Sequence, residues 1–296
     1  MTSGLLLLDK PAGITSNAAL GRVKRILGVR KAGHAGTLDP FATGLLVCCF
    51  GQATRVLAYL LEADKRYLAS LHLGCATSTG DPEGEVLREA PVPELSASEW
   101  DHLLARFVGR VQQRPPMFSA LKHQGRPLYE WARAGIEVDR PCREVRVEAL
   151  RCLRWEPPLL QFEALVGKGT YVRTLGEQIA ETVGSVGYLS GLRRTAVGDF
   201  AIDDAIGPEQ LEAAVCPADY LQPVDRALAG FDHVVLTRQS ARRVLQGQPV
   251  PAPAPFATGT RLRAYVEGGD FLGMVEAVAD GRLQPRRMFT QTPTGG

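Results

Sequence analysis

The chain has 296 residues, 45% of them hydrophobic, with 34 basic and 32 acidic side chains and a formal net charge of +2. This is enough apolar material for one large core and a second small one, as in a globular protein. The opening run Leu5–Leu8 is too short for a signal peptide or a membrane span, and no later apolar stretch approaches about 18 residues, so membrane insertion is excluded and a cytosolic location is expected.

The small net charge hides a block pattern. Residues 1–70 and 101–155 each carry +5 and residues 236–296 carry +4, against −5 over 71–100 and −7 over 156–235. Such basic blocks suit a polyanion, although solvated faces give similar swings. The six cysteines, at 48, 49, 75, 142, 152 and 216, form no CxxC pair and no Cys/His ligand spacing. Neither a zinc site nor a redox motif is indicated, and reduced, mostly buried thiols are expected.

In chain order, residues 15–28 read as a helix capped by Thr15 or Ser16 and stopped by Gly28. Leu20, Val23 and Leu27 recur at helical spacing, and Arg22 and Arg25 lie on the polar side. The tight loop "GHAGTLDPFATG", residues 33–44, holds one carboxylate, Asp39, directly before a proline. A residue before proline is pushed into extended backbone, so Asp39 is presented from a stiff bend. A nucleophile and a local Asx turn both fit that geometry.

The segment "RYLASLHLG" alternates, with Tyr67, Ala69, Leu71 and Leu73 on one face of a strand; 145–149 and 160–166 alternate likewise. Between them, residues 114–135 leave the sheet, with paired prolines, a basic "LKHQGR" turn and a short helix entered through Pro127 and left at Gly135. In "KGTYVRTLGEQIAETVG", 168–184, Thr174 and Glu177 read as a capping box opening a helix that ends at Gly184. That start leaves Tyr171 and Arg173 on extended chain just before the helix, where anions are favoured.

Arg193 and Arg194 follow Leu192 and read as a solvated edge or, beside RNA, a phosphate contact. Beyond residue 233 a short helix, a Pro-rich stretch and strands joined by Gly268-Gly269 and Asp280-Gly281 indicate a small β-rich module. GxxxxGK[ST], GxGxxG after a strand, HExxH and GxSxG are all missing.

Taken together, "GLLLLDKPAGITSNAAL", "RKAGHAGTLDPFATGLL", "DKRYLASLHLG", "RPPMFSALKHQGRPLYEWARAGIEV", "GKGTYVRTLGEQIA", "YLSGLRRTAVG" and "FLGMVEAVADGRLQPRRM" resemble the TruB-type bacterial tRNA pseudouridine-55 synthases. They stand in that family's order over nearly the whole chain. The resemblance implies an α+β fold: a mixed, largely antiparallel central sheet with flanking helices over residues 1–232, an RNA-contacting insertion at about 114–140, and a PUA-like RNA-binding module over 233–296.

It further implies isomerisation of uridine 55 in the tRNA T loop to pseudouridine, by base flipping and without cofactor or metal, in a monomer. Asp39 matches the catalytic aspartate, Arg173 its basic neighbour, and Tyr67 the tyrosine that stacks on the target base and takes the C5 proton. Tyr171 and Leu192 match further walls of the uracil pocket, and His34 the residue that enters the T loop. Lys10 matches a supporting motif. Lys122, His123, Arg126 and Arg133 of the insertion, with Lys10, Arg193 and Arg194, are the expected RNA contacts. The rivals are an RNA-binding protein without chemistry and a carboxylate-dependent glycosidase, for which no second carboxylate is evident by spacing.

Overall fold

The computed structural model describes residues 3–289. Strand β1 (Gly4–Lys10) leads through α1 (Ser16–Ile26) to β2 (Ala32–His34) and β3 (Thr43–Phe50), and α2 (Leu57–Glu62) precedes β4 (Lys65–Leu73). A hairpin of β5 (Cys75–Thr77) and β6 (Val86–Glu89), then α3 (Ala97–Ala105), lead to β7 (Gly109–Gln113). The insertion contributes β8 (Lys122–His123), β9 (Arg126–Pro127) and α4 (Leu128–Arg133). Next come β10 (Arg143–Glu156), β11 (Leu159–Val166), α5 (Val172–Thr182), β12 (Gly187–Val197), β13 (Phe200–Ala201) and α6 (Pro208–Ala213).

Nine of these strands make one sheet in the order β1-β3-β12-β4-β11-β10-β7, with β2 added to β3 and β13 to β12. The β3–β12 pair is parallel and the other pairs are antiparallel. The expected mixed, largely antiparallel sheet is borne out. A second, five-stranded sheet, β14 (His233–Leu236), β15 (Val250–Pro251), β16 (Arg261–Val266), β17 (Phe271–Ala277) and β18 (Arg282–Met288), carries α7 (Arg238–Leu245).

Local sequence explains most elements. The Thr15 hydroxyl accepts from the Ala18 amide at 3.1 Å to cap α1, whose Ala19, Leu20 and Val23 are buried under β1 and β3. Its outer face sends Arg22 to Glu209 and Glu212 of α6. Along β4, Tyr67, Ala69, Leu71 and Leu73 are buried in alternation and meet Leu175 and Ile179 of α5 and Trp100 and Leu104 of α3. The "LKHQGR" turn closes a two-residue hairpin, with Gln124 and Gly125 both at positive φ.

One expectation fails. α5 begins at Val172 with Tyr171 as its cap, and no capping box forms at Thr174, whose hydroxyl is buried inside the first turn without a partner. A side chain from β7 displaces it. Buried Gln113 accepts from the Tyr171 amide at 3.1 Å and donates to the Tyr171 carbonyl at 3.3 Å, fixing the chain there in extended form. Arg173 therefore lies in the first helical turn, one residue past the cap's neighbour, and not on the strand side of the helix start.

Candidate active site

A cleft of about 350 Å³ opens beside the α5 N-terminus, and Asp39, Tyr67, Tyr171, Arg173 and Leu192 all line it. The 35–44 loop, β4, the start of α5 and β12 meet there, with residues 119–121 of the insertion and the end of β11.

The loop is clamped on both sides of Asp39. Ser16 donates to the Leu38 carbonyl at 2.9 Å and accepts from its amide at 2.8 Å. The Pro40 carbonyl receives the Gly13 amide at 2.8 Å and the Lys10 amine at 3.3 Å. Gly44, at φ +102°, lies so close to β12 that a Cβ there would stand 2.3 Å from the Arg194 carbonyl. With its neighbours held, the Asp39 backbone has little freedom, and its carboxylate projects into the cleft with 32% of the side chain exposed.

Arg173, 3% exposed, is the hub. Its Nε stands 2.9 Å from Asp39 Oδ2 and its Nη1 3.2 Å from Asp81 Oδ2. Nη1 also donates to the Thr79 carbonyl and Nη2 to the Phe118 carbonyl, each at 2.6 Å. The guanidinium thus joins the catalytic-loop candidate, the 79–81 turn and the root of the insertion. Asp81 is buried and itself receives Thr79 Oγ1 and the Glu83 amide. The sequence reading missed it. A signal was available, because Asp81-Pro82 repeats the Asp39-Pro40 pattern beside a glycine, but nothing in the spacing links it to Arg173.

Burial raises the Asp39 carboxyl above its ordinary value; Arg173 opposes this most strongly, while Asp81 adds to it. Lys65, on the cleft wall, is pushed down to about 8 by burial and by Arg194.

Tyr171 stands under the Arg143 guanidinium, 5.2 Å from ring centroid to carbon. His34 is not brought to the cleft wall. It pairs with Cys48 in the sheet, half-buried, its Nδ1 unpartnered, and burial lowers its pKa.

Two expected RNA contacts need correction. Lys10 is 0% exposed and donates to the Pro11 (2.8 Å), Ile14 (2.7 Å) and Pro40 carbonyls, so it braces the loop from inside. Arg194 is 1% exposed and donates to the Leu45 carbonyl at 2.7 Å and the Gly36 carbonyl at 3.0 Å, so it is a buried strut and not a solvated edge. Arg193 is partly exposed, but its fork is taken by Asp9 at 3.0 and 2.7 Å.

The insertion residues differ. Lys122, Arg126 and Arg133 are exposed, with Arg126 over Trp131, Arg133 over Tyr129, and His123 edge-on to Trp131. Among the described residues no cluster of His, Cys, Asp and Glu could hold a metal ion, and no helix is long and apolar enough to cross a membrane.

Residues 24–172 match the N-terminal domain of the TruB family pseudouridylate synthases, and residues 233–289 match the C-terminal part of pseudouridine synthase II TruB. The chain belongs to the TruB family. It is 48% identical over 288 residues to the tRNA pseudouridine synthase B of Thiobacillus denitrificans, covering 97% of this chain and 95% of the relative. To that of Hydrogenovibrio crunogenus it is 42% identical over 293 residues, covering 99% and 95%. Among solved structures, a Cbf5-Nop10-Gar1 complex contains a chain that is 27% identical, with a TM-score of 0.72 over 98% of this chain and 81% of that one. A chain of an H/ACA RNP bound to a substrate RNA containing 2'-deoxyuridine shares the fold, at a TM-score of 0.75 and 23% identity over 97% and 85%.

Proposed function

We propose that this TruB-family chain isomerises uridine 55 in the T loop of tRNA to pseudouridine, acting as a cytoplasmic monomer without a cofactor. The reading divides the chain into a catalytic domain over 1–232, with an RNA-contacting insertion at about 114–140, and a PUA-like RNA-binding module over 233–296. The observation that carries the chemistry is the Asp39 carboxylate, 2.9 Å from a buried guanidinium on a cleft wall shared with Tyr67.

The reaction breaks N1–C1′, forms C5–C1′, removes a proton from C5 and leaves one on N1, so composition is unchanged. Asp39 as the anion meets the positive charge that develops on the nucleotide when N1–C1′ breaks. Tyr67 stacks on the extruded base and takes the C5 proton. Leu192 and Tyr171 enclose the ring. Extrusion loses stacking and pairing worth a few kcal/mol, which contacts elsewhere on the RNA offset. The aromatic-backed basic surface of the insertion is suited to those contacts.

A binding protein has no use for a carboxylate facing phosphates, and the reading is tested on that difference. Asp39→Asn should lower conversion of an unmodified tRNA transcript by about 1,000-fold or more while transcript affinity is kept. Conversion is read by mass spectrometry after a reagent that tags pseudouridine. Conversion at the parental rate would overturn the assignment.

A further inference from the structure

Tyr171 is gripped by two residues that face each other across the root of the insertion. Gln113 ends β7, Arg143 begins β10, and the two are paired in the antiparallel ladder, so the chain leaves the sheet at the one and returns at the other. Gln113 takes the main chain of Tyr171, accepting from its amide and donating to its carbonyl. That fixes where the ring starts but not how it turns, since the side-chain torsions still have several staggered wells to choose from.

Arg143 meets the ring itself. Its guanidinium carbon stands 5.2 Å from the ring centroid, Nη2 donates to the Gly169 carbonyl, and Nε is enclosed without a hydrogen-bond partner. A cation so placed is attracted by the negative face of the phenol ring. The arginine is anchored at both ends, its backbone by the ladder to β7 and its head by the 167–170 loop. That loop is pinned in turn, because the Gly167 amide donates to the Arg146 carbonyl at 2.8 Å and the Thr170 hydroxyl to the Gly167 carbonyl at 3.0 Å. Tyr171 lines the cleft and Arg143 does not.

We infer that Arg143 is a positioning residue, which by lying on the Tyr171 ring sets the plane of that ring as a wall of the uracil pocket, without itself touching the RNA. This rests on the function proposed above. Once N1–C1′ is broken, the base has no covalent anchor and must present C5 to C1′ while the walls keep it in place. A wall whose plane wanders lets the ring drift from that alignment, which costs rate more than affinity. The planar guanidinium suits the task, because it stacks by its face and donates along its edge, and an ammonium point charge cannot do both.

Three substitutions separate this role from a phosphate contact and from a purely structural one. Arg143→Met keeps much of the stem and removes the stacked head. It should lower kcat on an unmodified tRNA transcript by about 10-fold, while KM and the thermal midpoint stay at parental values. Arg143→Lys, which keeps the charge, should lose nearly as much. In a Tyr171→Ala background, itself slower than the parent, Arg143→Met should cause no further loss, because the group it acts through has gone.

A raised KM with kcat kept, restored by lysine and joined to a flatter salt dependence of binding, would make Arg143 a phosphate contact and overturn the inference. So would unchanged kinetics, a fall in conversion that tracks a lowered midpoint, a loss that persists undiminished in the Tyr171→Ala background, or parental conversion by Tyr171→Ala alone. Failure of the underlying function would appear separately, as conversion by Asp39→Asn at the parental rate with Arg143 intact.

Discussion

Asp39 is a carboxylate pulled in two directions, and the balance has a measurable consequence. Burial and Asp81 raise its pKa, whereas Arg173 and Lys10 lower it. Activity that needs the anion should rise with pH through an acid limb displaced above the ordinary value of 3.8, since the proton leaves later than from an exposed acid. The two neighbours should move that limb oppositely. Asp81→Asn removes a negative charge that favours the protonated form, so the limb shifts to lower pH. Arg173→Met removes the cation that favours the anion, so the limb shifts to higher pH. The pH profile of kcat/KM for the three proteins checks this; limbs that coincide would mean that Asp39 is not the titrating group. The buried lysine Lys10, held near 8, shows why motif residues are hard to place from sequence. "LDKPAG" locates a cation near the site but carries no sign of which way the amine faces, and only the three carbonyls around it decide that it braces the loop.

Elements set by local pattern were legible, and those set by distant partners were not. The α1 cap, the alternation of β4 and the Asp280-Gly281 turn before β18 depend on neighbours within a few residues, and the chain forms them where the pattern places them. The start of α5 depends on Gln113, 58 residues earlier, and the Thr174–Glu177 spacing gave a plausible but wrong cap. Burial of Arg194 has the same origin, because the partners of its guanidinium are the Gly36 carbonyl on the loop before β3 and the Leu45 carbonyl within β3. That joint is also a point of weakness. Gly44→Ala would need a left-handed backbone conformation and would put a Cβ against β12, so the parallel β3–β12 contact must shift. We expect a loss of about 3 kcal/mol or more in chemical denaturation, with conversion reduced beyond what the unfolded fraction explains, because Asp39 hangs from the same loop.

At the scale of the molecule, the charge blocks and the apolar cores make separate demands. The exposed Lys122, Arg126 and Arg133 should contribute to RNA binding through released counterions. Affinity for tRNA should then fall with salt along a negative slope on logarithmic axes, and each of these changed to Ala should flatten the slope by about one or less. A salt-independent affinity would count against phosphate contacts by the insertion.

The cores bear on whether the two sheets behave as independent bodies. The C-terminal module has its own interior, formed by Val234, Val244, Leu262, Leu272 and Leu283. Yet Met274 of β17 and Phe289 are buried with Leu5, Leu7, Val47 and Leu228, so one cluster is shared between the sheets. A shared apolar cluster couples the stability of the parts that form it. Met274, 0% exposed, is the side chain to alter, because its truncation opens a cavity at the joint and leaves the module's own core intact. Met274→Ala should cost about 3 kcal/mol, and calorimetry should show one cooperative transition in the parent and in the variant, moved to lower temperature as a whole. Two resolved transitions, of which only the module's moves, would mean that the sheets unfold independently and that the common cluster is too weak to join them.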